Sequence, residues 1–144
     1  MALPLLFGSP GGRRYKRRGH VNGESFLQTI LRAGKPNLLL VGSDLAIDAA
    51  IHGLSTSLAV PLHSCVLPGP LALPKASNGV LLLRDVAALD GAQQRELLRW
   101  LDEHNRCTQV VSATTAQLLP LVERGAFDKG LYYRLNTVLE EVDV

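Results

Sequence analysis

Aromatic residues are scarce in this chain, with three Phe, three Tyr and one Trp among 144 residues. Against 28 leucines, that shortage makes the expected core aliphatic. It also excludes the rows of stacked rings with which single-strand nucleic-acid binders hold bases. Cysteine is equally sparse. Cys65 and Cys107 stand far apart, with no CxxC and no metal-ligand spacing. That excludes a disulfide scaffold and a structural metal site, and reads as two reduced thiols in a cytoplasmic protein. His63 and His104 have no companions at ligand spacing, so no metal site is expected. No apolar run approaches the roughly 18 residues that a membrane-spanning helix needs.

What remains is globular in character. Hydrophobic residues make up 47% and charged residues 19%, a balance that supports a packed core. A chain of this length buries about 70% of its unfolded surface, enough for one domain and too little for two.

Acidic charge is absent from the first 18 residues, which carry Arg13, Arg14, Lys16, Arg17 and Arg18. Residues 19–144 hold ten Lys and Arg against thirteen Asp and Glu, a net of −3. The overall +2 therefore belongs to one short segment. With the glycines and proline of Gly8–Gly12 before it, residues 1–20 read as a flexible basic arm, and 21–144 as the domain. The arm is either a patch for nucleic acid or another acidic surface, or a solvated tail.

Along the domain, Phe26, Leu27, Ile30 and Leu31 share one helical face over Glu24–Ala33, and Gly34–Asn37 stops it. Leu38–Val41 is apolar at every position, as a strand buried on both faces requires. Ser43 or Asp44 is placed to cap a following helix with Leu45, Ile47, Ala50, Ile51 and Leu54 inward. Proline punctuates 55–79, with a short strand around Leu62–Val66. Val80–Leu83 is a second buried run. Ala92–Glu103 is an amphipathic helix with Leu97, Leu98 and Leu101 inward. Thr108–Ala113 is a third strand, Gln117–Glu123 a shorter helix, and Tyr132–Val138 a helical turn leading into a last strand. Buried strands alternating with helices predict a three-layer α/β domain with a mostly parallel sheet. Ligands of such sheets sit beyond the C-terminal ends of the strands, which directs attention to Gly42–Asp44, Arg84–Asp85 and Thr114–Thr115.

Four stretches around those positions carry a family resemblance. Leu131-Tyr-Tyr-Arg-Leu-Asn136 follows Gly125-Ala-Phe127. Gly79-Val-Leu-Leu-Leu-Arg-Asp-Val-Ala-Ala-Leu89 runs without a gap into Gln94-Arg-Glu-Leu-Leu-Arg99. Val110-Val-Ser-Ala-Thr-Thr115 and Ala50-Ile-His-Gly-Leu-Ser55 complete the set. From Leu38 to Val138 the chain resembles the AAA+ domain of sigma-54-dependent transcription activators, the bacterial enhancer-binding proteins. The resemblance implies a P-loop NTPase-like fold, ATP and Mg²⁺ as the family's cofactors, and contacts with related AAA+ subunits.

At the catalytic positions the chain departs from that family. A phosphate loop needs several glycines, a Lys and a Ser or Thr. Here Val41-Gly42-Ser43-Asp44-Leu45 stands in its place, about four residues shorter and without Lys, so Gly42, Ser43 and Asp44 are remnants only. The Walker B Asp is replaced by Arg84, which neither ligates a cation nor accepts a proton, and Asp85 stands at the Glu position. Thr115 replaces the sensor Asn. Of the family's two C-terminal arginines, Asp128 replaces the first and Arg134 retains the second. Only 31 residues separate His52 from Arg84, and the proline-rich Val66–Pro74 bypasses the family's sigma-contacting loop. Pro61–Cys65 resembles a family strand, with Cys65 packed rather than nucleophilic. The expected domain ends at Glu140–Val144 without the family's helical lid or DNA-binding helix-turn-helix.

The resulting expectation is a degenerate, non-catalytic AAA+-like domain that has lost ATP hydrolysis and binds no ATP. It would act as a regulatory or protein-interaction module, with Tyr132, Tyr133 and Arg134 as its interface to related subunits or to itself. The alternatives are a small DNA-binding regulator using Arg13, Arg14, Lys16, Arg17 and Arg18, and a weak atypical ATPase.

Overall fold

A strand apolar at every position must be covered on both faces, and Leu38–Val41 and Val80–Leu83 are buried at every position. The computed structural model describes residues 16–18, 34–59, 61–75, 78–104 and 108–143. Its elements are β1 (Lys16–Arg18), β2 (Leu38–Val41), α1 (Asp44–Leu54), β3 (Leu62–Val66), β4 (Val80–Arg84), a 3₁₀ turn (Val86–Ala88), α2 (Gly91–His104), β5 (Gln109–Thr114), α3 (Leu119–Glu123), α4 (Lys129–Leu135) and β6 (Val138–Glu141). The strands form one sheet in the order β1-β6-β2-β5-β4-β3, and every pairing is parallel.

Side chains alternate across a strand, and the two resulting faces have separate cores. Leu39, Val41, Leu81, Leu83 and Val110 face one side, where α2 and α4 bring Leu97, Trp100, Leu101, Leu131 and Leu135. Leu38, Leu40, Val80, Leu82 and Val111 face the other, where α1 brings Ile47 and Leu54. The three-layer parallel α/β expectation is met. At about 2 kcal/mol for each fully buried leucine, this aliphatic double layer is the main stabilising term.

Helix boundaries follow local chemistry. At α1 the cap is Ser43, whose hydroxyl accepts from the amide of Ala46 at 3.1 Å. Ahead of α2, Asp90 and Gln93 form a reciprocal capping box. The Gln93 amide donates to the Asp90 carboxylate at 2.8 Å, and the Asp90 amide to Gln93 Oε1 at 3.1 Å. α3 is shorter than expected, beginning at Leu119 with Pro120 in its first turn.

Three expectations require correction. Leu45, read as inward, is 69% exposed. It lies two residues from Ile47, which at 100° per residue is the far side of α1. The expected flexible arm of 1–20 is ordered at Lys16–Arg18, which adds to the free edge of β6 as a parallel strand. Strand-edge amides and carbonyls take up an extended segment that offers matching groups. The rest of that arm, including Arg13 and Arg14, and the helix read at Glu24–Ala33 lie outside the described residues. Tyr132, read as an interface residue, is 6% exposed and sits in the core beside Leu131 and Leu135. Its neighbour Tyr133 meets it edge to face at 5.4 Å between ring centroids.

Candidate functional site

The C-terminal end of the sheet gathers most of the residues singled out from the sequence. β2 hands over to α1 through Gly42 and Ser43 alone. The Gly42 amide donates to the carbonyl of Thr114 at 3.2 Å, and the Ile47 amide to that of Ser43 at 2.9 Å. With Ser43 Oγ on the Ala46 amide, the Gly42 amide serves the sheet, and the Ala46 and Ile47 amides serve the start of the helix. Gly42 is required for a packing reason. A Cβ at this position would overlap the Val142 carbonyl oxygen and lie 2.8 Å from Val142 Cγ2. The segment after β6 passes directly across the turn, its Val142 amide bonded to Val41 O at 2.8 Å.

Arg84 closes the end of β4. Its guanidinium is ion-paired to Asp48 and lies 3.8 Å from the carboxylate of Asp44. Arg84 is 22% exposed, while Asp44 and Asp48 are largely open to solvent. The three charges tie the first turns of α1 to the tip of β4. Asp44 also lies in the first turn of α1, where a carboxylate complements the positive end of the helix dipole. Asp48 was not identified from the sequence. Its position four residues after Asp44, hence on the same helical face, was the available signal.

Asp85 follows in the left-handed conformation, with φ 59° and ψ 50°, a region that Asp visits more readily than most non-glycine residues. Thr115 is exposed at the end of β5. The neighbouring Thr114 hydroxyl donates to Ala116 O at 2.8 Å and accepts from the Ala116 amide at 3.1 Å. Among the described residues, no group of three or more His, Cys, Asp or Glu is arranged to hold a metal.

α4 carries the remaining candidates. Asp128 is its N-cap, its carboxylate accepting from the Leu131 amide at 2.8 Å. The Asp128 amide donates to Gln94 Oε1 at 2.8 Å. Buried Gln94 in turn donates through Nε2 to Leu89 O at 3.0 Å and to Ala126 O at 3.2 Å. Arg134 lies at the other end of α4. Its guanidinium pairs with Asp102 of α2, and its Nη2 is buried with no hydrogen-bond partner among the described residues. Asn37, just ahead of β2, donates to Arg134 O at 3.0 Å and accepts from the Val110 amide at 2.9 Å. Arg134 is thus at the N-terminal end of the strands, opposite to Arg84. Gln94 and Asn37, the polar pins of this face, were not assigned from the sequence, although Gln94 stands in the motif that carries the resemblance.

The bypass after β3 lies against the core. Leu67 is buried, Leu71 and Leu73 pack on the α2 face, and the Trp100 indole donates to Pro74 O at 2.9 Å. Cys65 is buried with a free thiol, which donates to Ala72 O at 3.4 Å. His52 is exposed near the end of α1. The side chains of Lys16, Arg17, Arg18 and His104, and residue Cys107, lie outside the described structure.

A parallel sheet in this order between two helical layers defines a P-loop NTPase-type domain of the AAA+ class. Residues 59–142 match the sigma-54 interaction domain family, and the chain belongs to that family. The match starts beyond α1, so the turn at Gly42 and Ser43 lies outside it. Among curated proteins, the chain is 35% identical over 79 residues to the pathogenicity locus probable regulatory protein WtsA of Pantoea stewartii subsp. stewartii, covering 46% of this chain and 24% of that protein. Among solved structures, NtrX from Brucella abortus in complex with ATP superposes with a TM-score of 0.62 at 17% identity, over 89% of this chain and 37% of that one. The RuvB T158V structure from Thermotoga maritima gives 0.59 at 19% identity, over 78% and 40%. The chain spans about a quarter of its curated relative and under half of each of these structures. Among the described residues, no helix is long and apolar enough to cross a membrane.

Proposed function

We propose that this chain is a non-catalytic member of the sigma-54 interaction domain family, a pseudo-ATPase that works as a regulatory protein-interaction module in transcription. The reading rests on Arg84. The family pattern calls for a Mg²⁺-binding carboxylate there, and a guanidinium instead pairs with Asp48 and approaches Asp44. A cation already occupies the metal's electrostatic role, and two carboxylates stand beside the turn where phosphates would have to come. Nucleotide would meet repulsion from both acids and lack the lysine that offsets triphosphate charge.

The retained features are those of the scaffold: the sheet, the Gln94 pins and the Arg134 pair. A domain that keeps its packing and not its chemistry acts by docking, and related AAA+ subunits or a second copy are the partners its family implies. The resemblance to WtsA, a probable regulatory protein, supports a regulatory setting.

Calorimetric titration with Mg·ATP at millimolar concentration tests the first part. No saturable heat is expected, and binding with turnover would overturn the reading. Sedimentation of the chain alone and mixed with an intact activator AAA+ domain tests the second. Association in either sample is expected, and a lone monomer in both would refute the docking role.

A further inference from the structure

The pairing of Lys16–Arg18 with β6 does not depend on how the turn at Gly42 is read. β6 is bonded to β2 on one side. The Val138 amide donates to Asn37 O at 3.1 Å and the Val142 amide to Val41 O at 2.8 Å. Successive amides of a strand point to opposite sides, so those of Leu139 and Glu141 point away from β2, toward the sheet's outer edge. That edge is where β1 pairs, with Lys16 in register with Leu139, Arg17 with Glu140 and Arg18 with Glu141.

The charge pattern matches the pairing. Arg17 and Arg18, from an arm that contains no acid, are in register with the consecutive Glu140 and Glu141 in a domain that is otherwise net negative. Exposed strand edges capture extended peptides by main-chain bonding, and the flanking charges select which peptide is captured. A strand of three residues at a sheet edge is also the element most readily released.

We propose that the outer edge of β6 is a docking surface for an extended basic segment, and that Lys16–Arg18 occupies it in cis. In that state Lys16, Arg17 and Arg18 are held in register with Leu139, Glu140 and Glu141 and withheld from phosphate-bearing polymers such as duplex DNA. The arm becomes available only when the strand is released, and raised ionic strength screens the attraction.

Amide hydrogen exchange followed by NMR on the full chain tests the docking. Leu139 and Glu141 are expected to be protected. In the Arg17→Asp/Arg18→Asp variant, their protection is expected to fall about tenfold while Val138 and Val142 keep theirs. Unprotected Leu139 and Glu141 in the unaltered chain, or no loss in the variant, would overturn the docking. Fluorescence anisotropy with a short DNA duplex at low salt tests the masking. Glu141→Gln is expected to tighten DNA binding about threefold, the scale of one surface charge pair. Glu103→Gln on exposed α2 adds the same charge away from β6. Equal tightening by both variants, or none by Glu141→Gln, would overturn the masking.

Discussion

The guanidinium of Arg84, at the tip of β4, is ion-paired with the carboxylate of Asp48, one turn into α1. Asp44 stands on the same helical face, 3.8 Å from Arg84. The three residues form one group in which a single guanidinium faces two carboxylates, so changes at either end of the pair are coupled.

Arg84→Asp is therefore expected to destabilise the fold by about 1 kcal/mol or slightly more, because it replaces attraction with repulsion among three acids. Adding Asp48→Arg should recover most of that loss. A double-mutant cycle in urea, run at low and high salt, reads the coupling. A coupling of zero at low salt would show that the pair contributes nothing. Because Asp44 remains and the turn has no Lys, Arg84→Asp alone is not expected to gain Mg·ATP binding.

Gly42→Ala is expected to cost about 1–3 kcal/mol through overlap with Val142. Gly34 has open space where its Cβ would stand, so Gly34→Ala serves as the control, with a change within about 0.5 kcal/mol. Thermal denaturation of the two variants separates packing at the turn from a general intolerance of glycine replacement.

Gln94→Ala removes the amide that bonds Leu89 O, Ala126 O and the Asp128 N–H. Leaving partners of a buried amide unsatisfied is expected to cost about 2–3 kcal/mol. The loss should concentrate around α4, seen as faster exchange of the Leu131 amide, which Asp128 caps. Uniform loss across the sheet would show that Gln94 does not pin α4 in particular.

Tyr132→Ala is expected to destabilise by about 3 kcal/mol, since its ring is in the core. Tyr132→Phe should be far milder. Any loss of partner binding in Tyr132→Ala that tracks its loss of fold, and is absent in Tyr132→Phe, would assign this position to packing. Arg134→Ala, which breaks the pair with Asp102, then tests the surface on its own.

Two of the strands were legible because Leu38–Val41 and Val80–Leu83 are apolar along their length and bounded by Gly, Asn or charge. Leu38–Val41 and Val80–Leu83 admit no arrangement other than burial on both faces. The long helix was legible from the period of Leu97, Leu98 and Leu101. Leu45 was misplaced because a leucine near a helical stripe looks inward until the phase of that stripe is fixed by Ile47 and Leu54. Tyr132 was misplaced because a family motif records which residues recur and not which way each side chain points. Arg84, Asp85, Thr115 and Asp128 could be singled out by alignment to the motif, but their partners could not.

The sequence by itself determined the aliphatic parallel α/β fold, because hydrophobic periodicity is a local property that propagates to burial. It also determined the family. Only the tertiary structure decided where the substituted charges go: Arg84 to Asp48, Arg134 to Asp102, and the Lys16–Arg18 segment to the edge of β6. These partners lie 32 or more residues apart in sequence. Charge attraction depends on distance in space, and the packing of helices on the sheet sets that distance.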